Sequence, residues 1–350
     1  MNADLVVTAR TLIQPGKGIL AIDETPGTIG KRFEALKIPS TAQTRCAYRE
    51  LLVTSSELQE VISGVILQDE TFRQATSRGE LFPQALMQWG ILPGIKVDTG
   101  AKPLAKAPGE KVTEGLDGLS ERIDEYVSLG ARFAKWRAVI TIGDGIPTQA
   151  CIAANAHALA RYAALCQEGG LVPIVEPEVL MDGHHSIETC FAVTVRTWRV
   201  VFGELAEQGV ALEAMVLKPS MILPGKEHSA QASVDEVGRR TVEGLRETVP
   251  AAVPGIAFLS GGQSPQTATR HLQAINAVGQ QPWELTFSYG RALQDDALLA
   301  WKGEASNVGQ AQKALLDRTR SIAAARRAGR DAAMAAIRAD DSQRLSKVLV

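Results

Sequence analysis

This sequence has little that would divide it, charge it or anchor it. The formal net charge is −2 over 350 residues, so neither nucleic acid nor an anionic membrane is an expected partner. Cysteines stand only at 46, 151, 166 and 190; their scatter forms no metal or redox pair and points to reduced thiols in a cytoplasmic protein. The segment Met1-Asn2-Ala3-Asp4-Leu5-Val6-Val7 has neither the basic region nor the apolar core of a signal peptide. No apolar run approaches the ~20 residues needed to span a bilayer. There is no internal repeat and no Pro/Gly/Ser-rich linker, so residues 1–350 read as a single domain. A glycine-rich nucleotide fingerprint is also missing: the first apolar run leads into Asp23-Glu24-Thr25-Pro26-Gly27, which argues against a doubly wound open sheet.

What is present is alternation. Short apolar runs at 18–23, 64–68, 94–98, 133–137, 172–177, 215–218, 256–260 and 285–291 are separated by longer amphipathic stretches. Pro93, Pro173, Pro254 and Pro282 sit at or just before the starts of four runs, where a missing N–H does least harm. Eight strands alternating with helices predict a (β/α)8 barrel with an N-terminal helix. Residues 101–118, rich in Gly, Lys and Pro, read as a long functional loop after the third strand. Residues 311–350 read as a C-terminal helix and tail, with a basic face turned to solvent.

Every run ends in polar or charged residues, and in such a barrel the C-terminal strand ends converge on the active site. They offer Asp23, Gln68, Lys96, Lys135 with Arg137, Glu176 with Glu178, Lys218, Ser260-Gly261-Gly262, and Arg291. Lys218 closes the run Ala214-Met215-Val216-Leu217 and precedes Pro219, which fixes the strand end at a lysine beside an apolar wall. A lysine so placed can attack a carbonyl. Keeping it neutral near pH 7.5 requires about 4 kcal/mol relative to a reference pKa of ~10.4, and a second ammonium ~4 Å away would supply about that much. Lys135, with Arg137 beside it, is the candidate neighbour. Glu176 on the intervening strand is placed to shuttle protons as a carbinolamine loses water. Pro177 is expected to end that ladder and to leave Glu178 on the loop beyond. Asp23 remains as a separate base or orienting group, or as a helix cap.

The remaining groups read as anion holders. Ser260-Gly261-Gly262 lets backbone N–H groups approach a phosphate, with Arg291 closing on it. A second anion site is suggested by Thr25, Thr28, Lys31 and Arg32, with Lys96 opposite. Two anion sites flanking a lysine imply a substrate with a phosphate at each end. Asp182-Gly183-His184-His185 with Glu188 is the one metal-like cluster, but adjacent histidines point apart on a helix or strand, so no metal is expected.

Several long segments together resemble the class I fructose-1,6-bisphosphate aldolases. They include Gly18-Ile19-Leu20-Ala21-Ile22-Asp23-Glu24, Leu217-Lys218-Pro219, Phe258-Leu259-Ser260-Gly261-Gly262-Gln263-Ser264 and Phe287-Ser288-Tyr289-Gly290-Arg291-Ala292-Leu293, and the likeness covers nearly the whole chain. The resemblance implies a cofactor-free barrel, usually a homotetramer, that reversibly cleaves fructose 1,6-bisphosphate to dihydroxyacetone phosphate and glyceraldehyde 3-phosphate in glycolysis and gluconeogenesis. It implies Lys218 as the Schiff-base lysine, Glu176 as general acid/base, Lys135 as assisting lysine and Asp23 at the C4 hydroxyl. It also implies Lys96 near the C6 phosphate and Ser260, Gly261 and Arg291 at the C1 phosphate. The rim residues Gly262, Arg137, Glu178, Thr25, Thr28 and Arg32 are candidate substrate contacts.

Two departures stand out. Thr25 and Thr28 replace serines of the familiar eukaryotic pattern and keep their hydroxyls. Many relatives end in a tyrosine that reaches the site, whereas this sequence ends Lys347-Val348-Leu349-Val350; losing its last few residues is therefore expected to depress turnover less than in tyrosine-ended relatives. Three other readings stay open. A one-phosphate or transaldolase-like Schiff-base barrel would share Lys218 without needing Thr28 and Arg32. A metal-dependent aldolase would need the His184 cluster, and a non-catalytic binding role would survive loss of Lys218.

Overall fold

The structure, a computed structural model, describes the backbone of residues 2–348 and the side-chain surroundings of residues 3–335. Eight parallel strands close a barrel in sequence order. They are β1 (Gly18–Ala21), β2 (Ile62–Leu67), β3 (Leu92–Lys96), β4 (Phe133–Ile140), β5 (Val172–Val179), β6 (Val216–Leu217), β7 (Gly255–Phe258) and β8 (Glu284–Tyr289). Closure comes from β1, which pairs with β2 on one side and β8 on the other.

Strand periodicity builds the interior in layers, because every second side chain points to the axis. The lower layers are apolar: Ile19, Ala21, Ile66, Phe133, Ile174, Val216 and Ala257 form one buried cluster. Leu5, Ala9 and Leu12 of the N-terminal helix Asn2–Leu12 join it and plug the barrel floor. Gly94 makes room for the Phe133 ring, since a Cβ there would lie 2.2 Å from the ring's Cζ. Continuing upward by twos, the same strands reach Asp23, Lys96, Lys135, Glu176 and Lys218, so the sequence changes from apolar to charged at one height around the barrel. A floor that excludes water and a mouth that holds charge follow from one periodicity.

Four expectations need correction. Pro177 does not end β5, which runs through Glu176 and Glu178 to Val179. Val172 donates its N–H to Arg132 on the β4 side, whereas Val179 donates to Ser220 Oγ on the β6 side. Alternation therefore turns the missing N–H of Pro177 toward β6, whose two residues pair no higher than Val175. No ladder bond is lost there, and Glu178 stands on the strand. Residues 101–118 do not form one long loop. They contain an antiparallel ribbon, Gly100–Pro103 with Lys111–Glu114, fastened outside the barrel where Thr113 Oγ1 donates to Arg137 O and Glu110 accepts from Thr148.

Arg291 does not end a strand; it opens the helix Arg291–Trp301 after Gly290. The terminal helix Val308–Val348 does not leave its arginines solvated throughout. Arg318 donates to Ala292 O and Thr269 Oγ1, while Arg326, 3% exposed, pairs with Glu284 at 2.7 Å beneath the barrel. The expectation about the last residues falls on Leu349 and Val350 and on side chains outside the described residues.

Candidate active site

One cleft of about 460 Å³ opens at the C-terminal ends of the strands. It gathers Asp23, Thr25, Thr28, Lys31, Arg32, Lys96, Lys135, Arg137, Glu176, Glu178, Lys218, Ser260, Gly261, Gly262 and Arg291, which includes every substrate and catalytic candidate named above. Gln68 is not among them; its side chain caps the helix Asp69–Arg73 by accepting from Glu70 N at 2.9 Å.

At the base of the cleft four charges alternate in a chain. Asp23 Oδ2 lies 2.7 Å from Lys135 Nζ, Lys135 Nζ lies 3.4 Å from Glu176 Oε2, and Glu176 Oε1 lies 3.4 Å from Lys218 Nζ. Lys135, Glu176 and Lys218 are only 3–4% exposed. The backbone fixes the nucleophile segment, since Lys218 N donates to Val175 O at 2.8 Å. The two lysines do not meet as bare neighbouring ammoniums. Glu176 stands between them because β5 runs between β4 and β6. Asp23 is likewise not a separate group on a far wall, and the helix cap next to it is Thr25.

Burial alone would raise the Asp23 pKa, but Lys135, Lys218 and Lys96 outweigh it and hold this carboxyl well below its usual range. Burial would lower the pKa of Lys135, yet Asp23, Glu176 and Asp98 hold it well above the ordinary lysine value. Linkage then fixes a pH window. The Asp23 contribution is present above its unfolded pKa of 3.8 and is lost as pH falls through the folded value; the Lys135 contribution is present below 10.5 and is lost as pH rises beyond it. Asp23→Asn should therefore cost a roughly constant amount between about pH 5 and 9, about 1.5–3 kcal/mol, the worth of a hydrogen bond to a charged group, because Lys135 keeps Glu176 as a partner. Denaturant unfolding across pH tests this: the gap between variant and parent should narrow only below about pH 4, and a gap that closes by pH 6 would contradict the paired geometry.

Around this base lie two anion-holding walls. On one, Gly261 and Gly262 adopt left-handed backbone (φ +59° and +89°), a conformation glycine takes at no steric cost and one that turns successive N–H groups to one side. Arg291 Nη2 is 3.5 Å from where a Cβ of Gly262 would sit, so its guanidinium overhangs this nest. On the other wall, Pro26 at the first turn and Thr25 as cap start the helix Pro26–Glu34, leaving the Thr25 and Thr28 hydroxyls 3.0 Å apart at its N-terminus. Arg32 is not free there. It pairs with Glu24 at 2.6 Å and Asp295 at 2.9 Å. Lys96 pairs with Asp98 at 2.7 Å, and Arg137 with Glu178.

Sequence reasoning did not single out Ser288, Asp98, Glu24 or Gln294. Ser288 is 1% exposed, lines the cleft, and its Oγ has no hydrogen-bond partner; its signal was the alternation Thr286, Ser288 in the last strand. The other three are partners of predicted residues, and pairing across the fold leaves no mark in the local sequence. The His184 cluster is engaged elsewhere: His184 reaches Glu227 and Asp182 pairs with Lys226. Among the described residues, no group of three or more His, Cys, Asp or Glu is placed to hold a metal ion. No described helix is long and apolar enough to cross a membrane.

Residues 4–347 match the family described as class-I fructose-bisphosphate aldolase, glycolytic. A probable class 1 fructose-bisphosphate aldolase of Xanthomonas campestris is 57% identical over 317 residues, covering 90% of this chain and 95% of the relative. The cytosolic fructose-bisphosphate aldolase 4 of Arabidopsis thaliana is 50% identical, over 91% and 81% respectively. A solved structure of Plasmodium falciparum fructose-bisphosphate aldolase, in complex with TRAP and a small-molecule inhibitor, superposes with a TM-score of 0.92 at 48% identity, covering 94% of this chain and 95% of that one.

Proposed function

The chain belongs to the class I fructose-bisphosphate aldolase family, and on that premise we propose that it cleaves D-fructose 1,6-bisphosphate reversibly into dihydroxyacetone phosphate and D-glyceraldehyde 3-phosphate through an imine on Lys218. The observation that carries this reading is Glu176, buried and 3.4 Å from the ammonium groups of both Lys218 and Lys135, at the base of a cleft walled by two anion sites. An imine that forms between lysine and a ketone must lose one water and exchange several protons, and this carboxylate reaches the nitrogen that does so.

The geometry supports the following steps. Glu176 takes a proton from the Lys218 ammonium, the neutral amine adds to the C2 carbonyl, and a proton passes from nitrogen to oxygen to give the carbinolamine. The carbinolamine hydroxyl leaves as water with a proton from Glu176, giving the protonated imine. That cation draws the electron pair of the C3–C4 bond as the C4 hydroxyl loses its proton, so the aldehyde departs and the three-carbon fragment remains as an enamine. Asp23 is held ionised by Lys135 and accepts a hydrogen bond from the C4 hydroxyl, which orients it. Glu176 Oε2 makes no aligned hydrogen bond although Lys135 is near, so it is the base with a lone pair available. Protonation of the enamine and hydrolysis then release dihydroxyacetone phosphate.

Ser260, Gly261, Gly262 and Arg291 are assigned to the C1 phosphate. Thr25, Thr28, Arg32 and Lys96 are assigned to the C6 phosphate, with Arg137 and Glu178 at the rim beside the sugar hydroxyls. A cytoplasmic location rests on the cytosolic relative, and a homotetramer rests on the family resemblance. Borohydride reduction in the presence of dihydroxyacetone phosphate, followed by peptide mass spectrometry, tests the central claim. The expected adduct is on Lys218; an adduct on Lys135, or on no lysine, would overturn it.

A further inference from the structure

We propose that Asp295 sets the affinity for the second phosphate, acting as a built-in carboxylate that competes with it for Arg32. The inference rests on the two-phosphate reading above and goes beyond it by naming a residue outside the cleft that tunes discrimination between bisphosphate and monophosphate sugars.

Arg32 is 14% exposed and its fork is occupied. Its Nη1 donates to Glu24 Oε1 at 2.6 Å and to Gln294 Oε1 at 3.3 Å, and its Nη2 donates to Asp295 Oδ1 at 2.9 Å. The two carboxylates are not equivalent. Glu24 is held from behind: its other oxygen accepts from Arg49 at 2.9 Å, Arg49 is 2% exposed, and Gln294 Nε2 donates to Glu24 Oε1 at 2.9 Å. Glu24 is therefore a fixed counter-charge built into the floor of the loop. Asp295 is 41% exposed in its side chain, and Arg32 is its one hydrogen-bonding side-chain partner among the described residues. It is the member that can be exchanged.

Its placement also bears on the other wall. Asp295 lies one helical turn beyond Arg291 on the helix Arg291–Trp301, so the two side chains share a face. One carboxylate thus stands between two arginines, each on a different anion site. Burial raises its pKa even though Arg32 and Arg291 act to lower it, which is consistent with a carboxylate held at a desolvation cost and readily displaced. A phosphate reaching Thr25, Thr28 and Arg32 at the start of the helix Pro26–Glu34 meets a guanidinium already neutralised. It must displace Asp295 or bind beside it.

Asp295→Asn separates charge from position. The amide oxygen still accepts from Nη2, so Arg32 stays in place while the competing charge is gone. Steady-state kinetics of the full chain should show KM for fructose 1,6-bisphosphate falling about two- to fivefold with kcat unchanged, the size expected of a partly exposed ion pair. KM for fructose 1-phosphate, which carries no second phosphate to Arg32, should fall by less, because Asp295 hydrogen-bonds Arg32 directly and acts on Arg291 only through its charge. An unchanged or raised KM for the bisphosphate would overturn the proposal, and so would an equal fall for both sugars. Failure of the unaltered chain to cleave either sugar would instead overturn the functional reading on which the proposal rests.

Discussion

Replacing Lys218 by methionine is expected to lower turnover of fructose 1,6-bisphosphate by about four orders of magnitude or more, because it removes the covalent route and not merely a contact. Methionine keeps most of the side chain's length and apolar contact, so the packing beside Val216 and Leu217 is largely retained. It also leaves Glu176 with Lys135 as its remaining cationic neighbour. The fold should therefore persist, and near-native far-ultraviolet circular dichroism is the control. Stopped assays with purified protein, together with loss of the borohydride adduct at position 218, measure the effect. Residual activity above about one per cent of the parent would mean that Lys218 does not carry the imine. Lys135→Met offers the sharper contrast. The same charge is lost two places along the chain of four, but the imine lysine remains, so the adduct on Lys218 should still form, more slowly.

Glu176→Gln is expected to cost about 10²–10⁴ in kcat, the usual worth of a positioned proton-transfer group. The amide nearly matches the carboxylate in shape and fits between β4 and β6 without repacking, but it neither accepts nor returns a proton at pH 7. The slow step should become imine formation or its reversal, because carbinolamine dehydration needs a proton delivered to the leaving hydroxyl. Single-turnover trapping distinguishes this from a simple loss of binding: the rate at which reducible imine appears should fall with kcat, while the affinity for a non-reacting bisphosphate should change little. A full rate of imine appearance with slow turnover would move Glu176 to a later step and give dehydration to another group. Glu178→Gln is the natural comparison. That carboxylate points the same way two residues on, but its contact is Arg137 at the rim.

Much of this site is legible in the sequence because a barrel converts order along the chain into position around a ring. Once eight apolar runs are recognised, the residues that follow them are brought to one end of the barrel, and all but Gln68 of those singled out there, Asp23, Lys96, Lys135, Glu176, Lys218 and Arg291 among them, meet in one cleft. The phosphate nest is legible for a local reason: consecutive glycines at 261 and 262 adopt backbone that larger residues resist.

What misled the reading was also local. Pro177 resembles a strand terminator, and only the brevity of β6 makes its missing N–H harmless. The glycine- and lysine-rich stretch after β3 has a loop's composition, but it pairs with itself and fastens to the barrel's outside. The arginines of the last helix look solvated until Glu284 and the helix Arg291–Trp301 are brought beneath them.

The sequence by itself determined the architecture, the family and the set of charged residues around the mouth, since each depends on periodicity or on contiguous segments. Tertiary structure alone decided who pairs with whom. That Glu176 lies between the two lysines, that Asp23 belongs to the same chain of charges, and that Arg32 is shared by Glu24 and Asp295 all depend on side chains far apart in sequence. Coulomb interactions between buried groups vary steeply over a few ångströms, and those distances exist only once the barrel has closed.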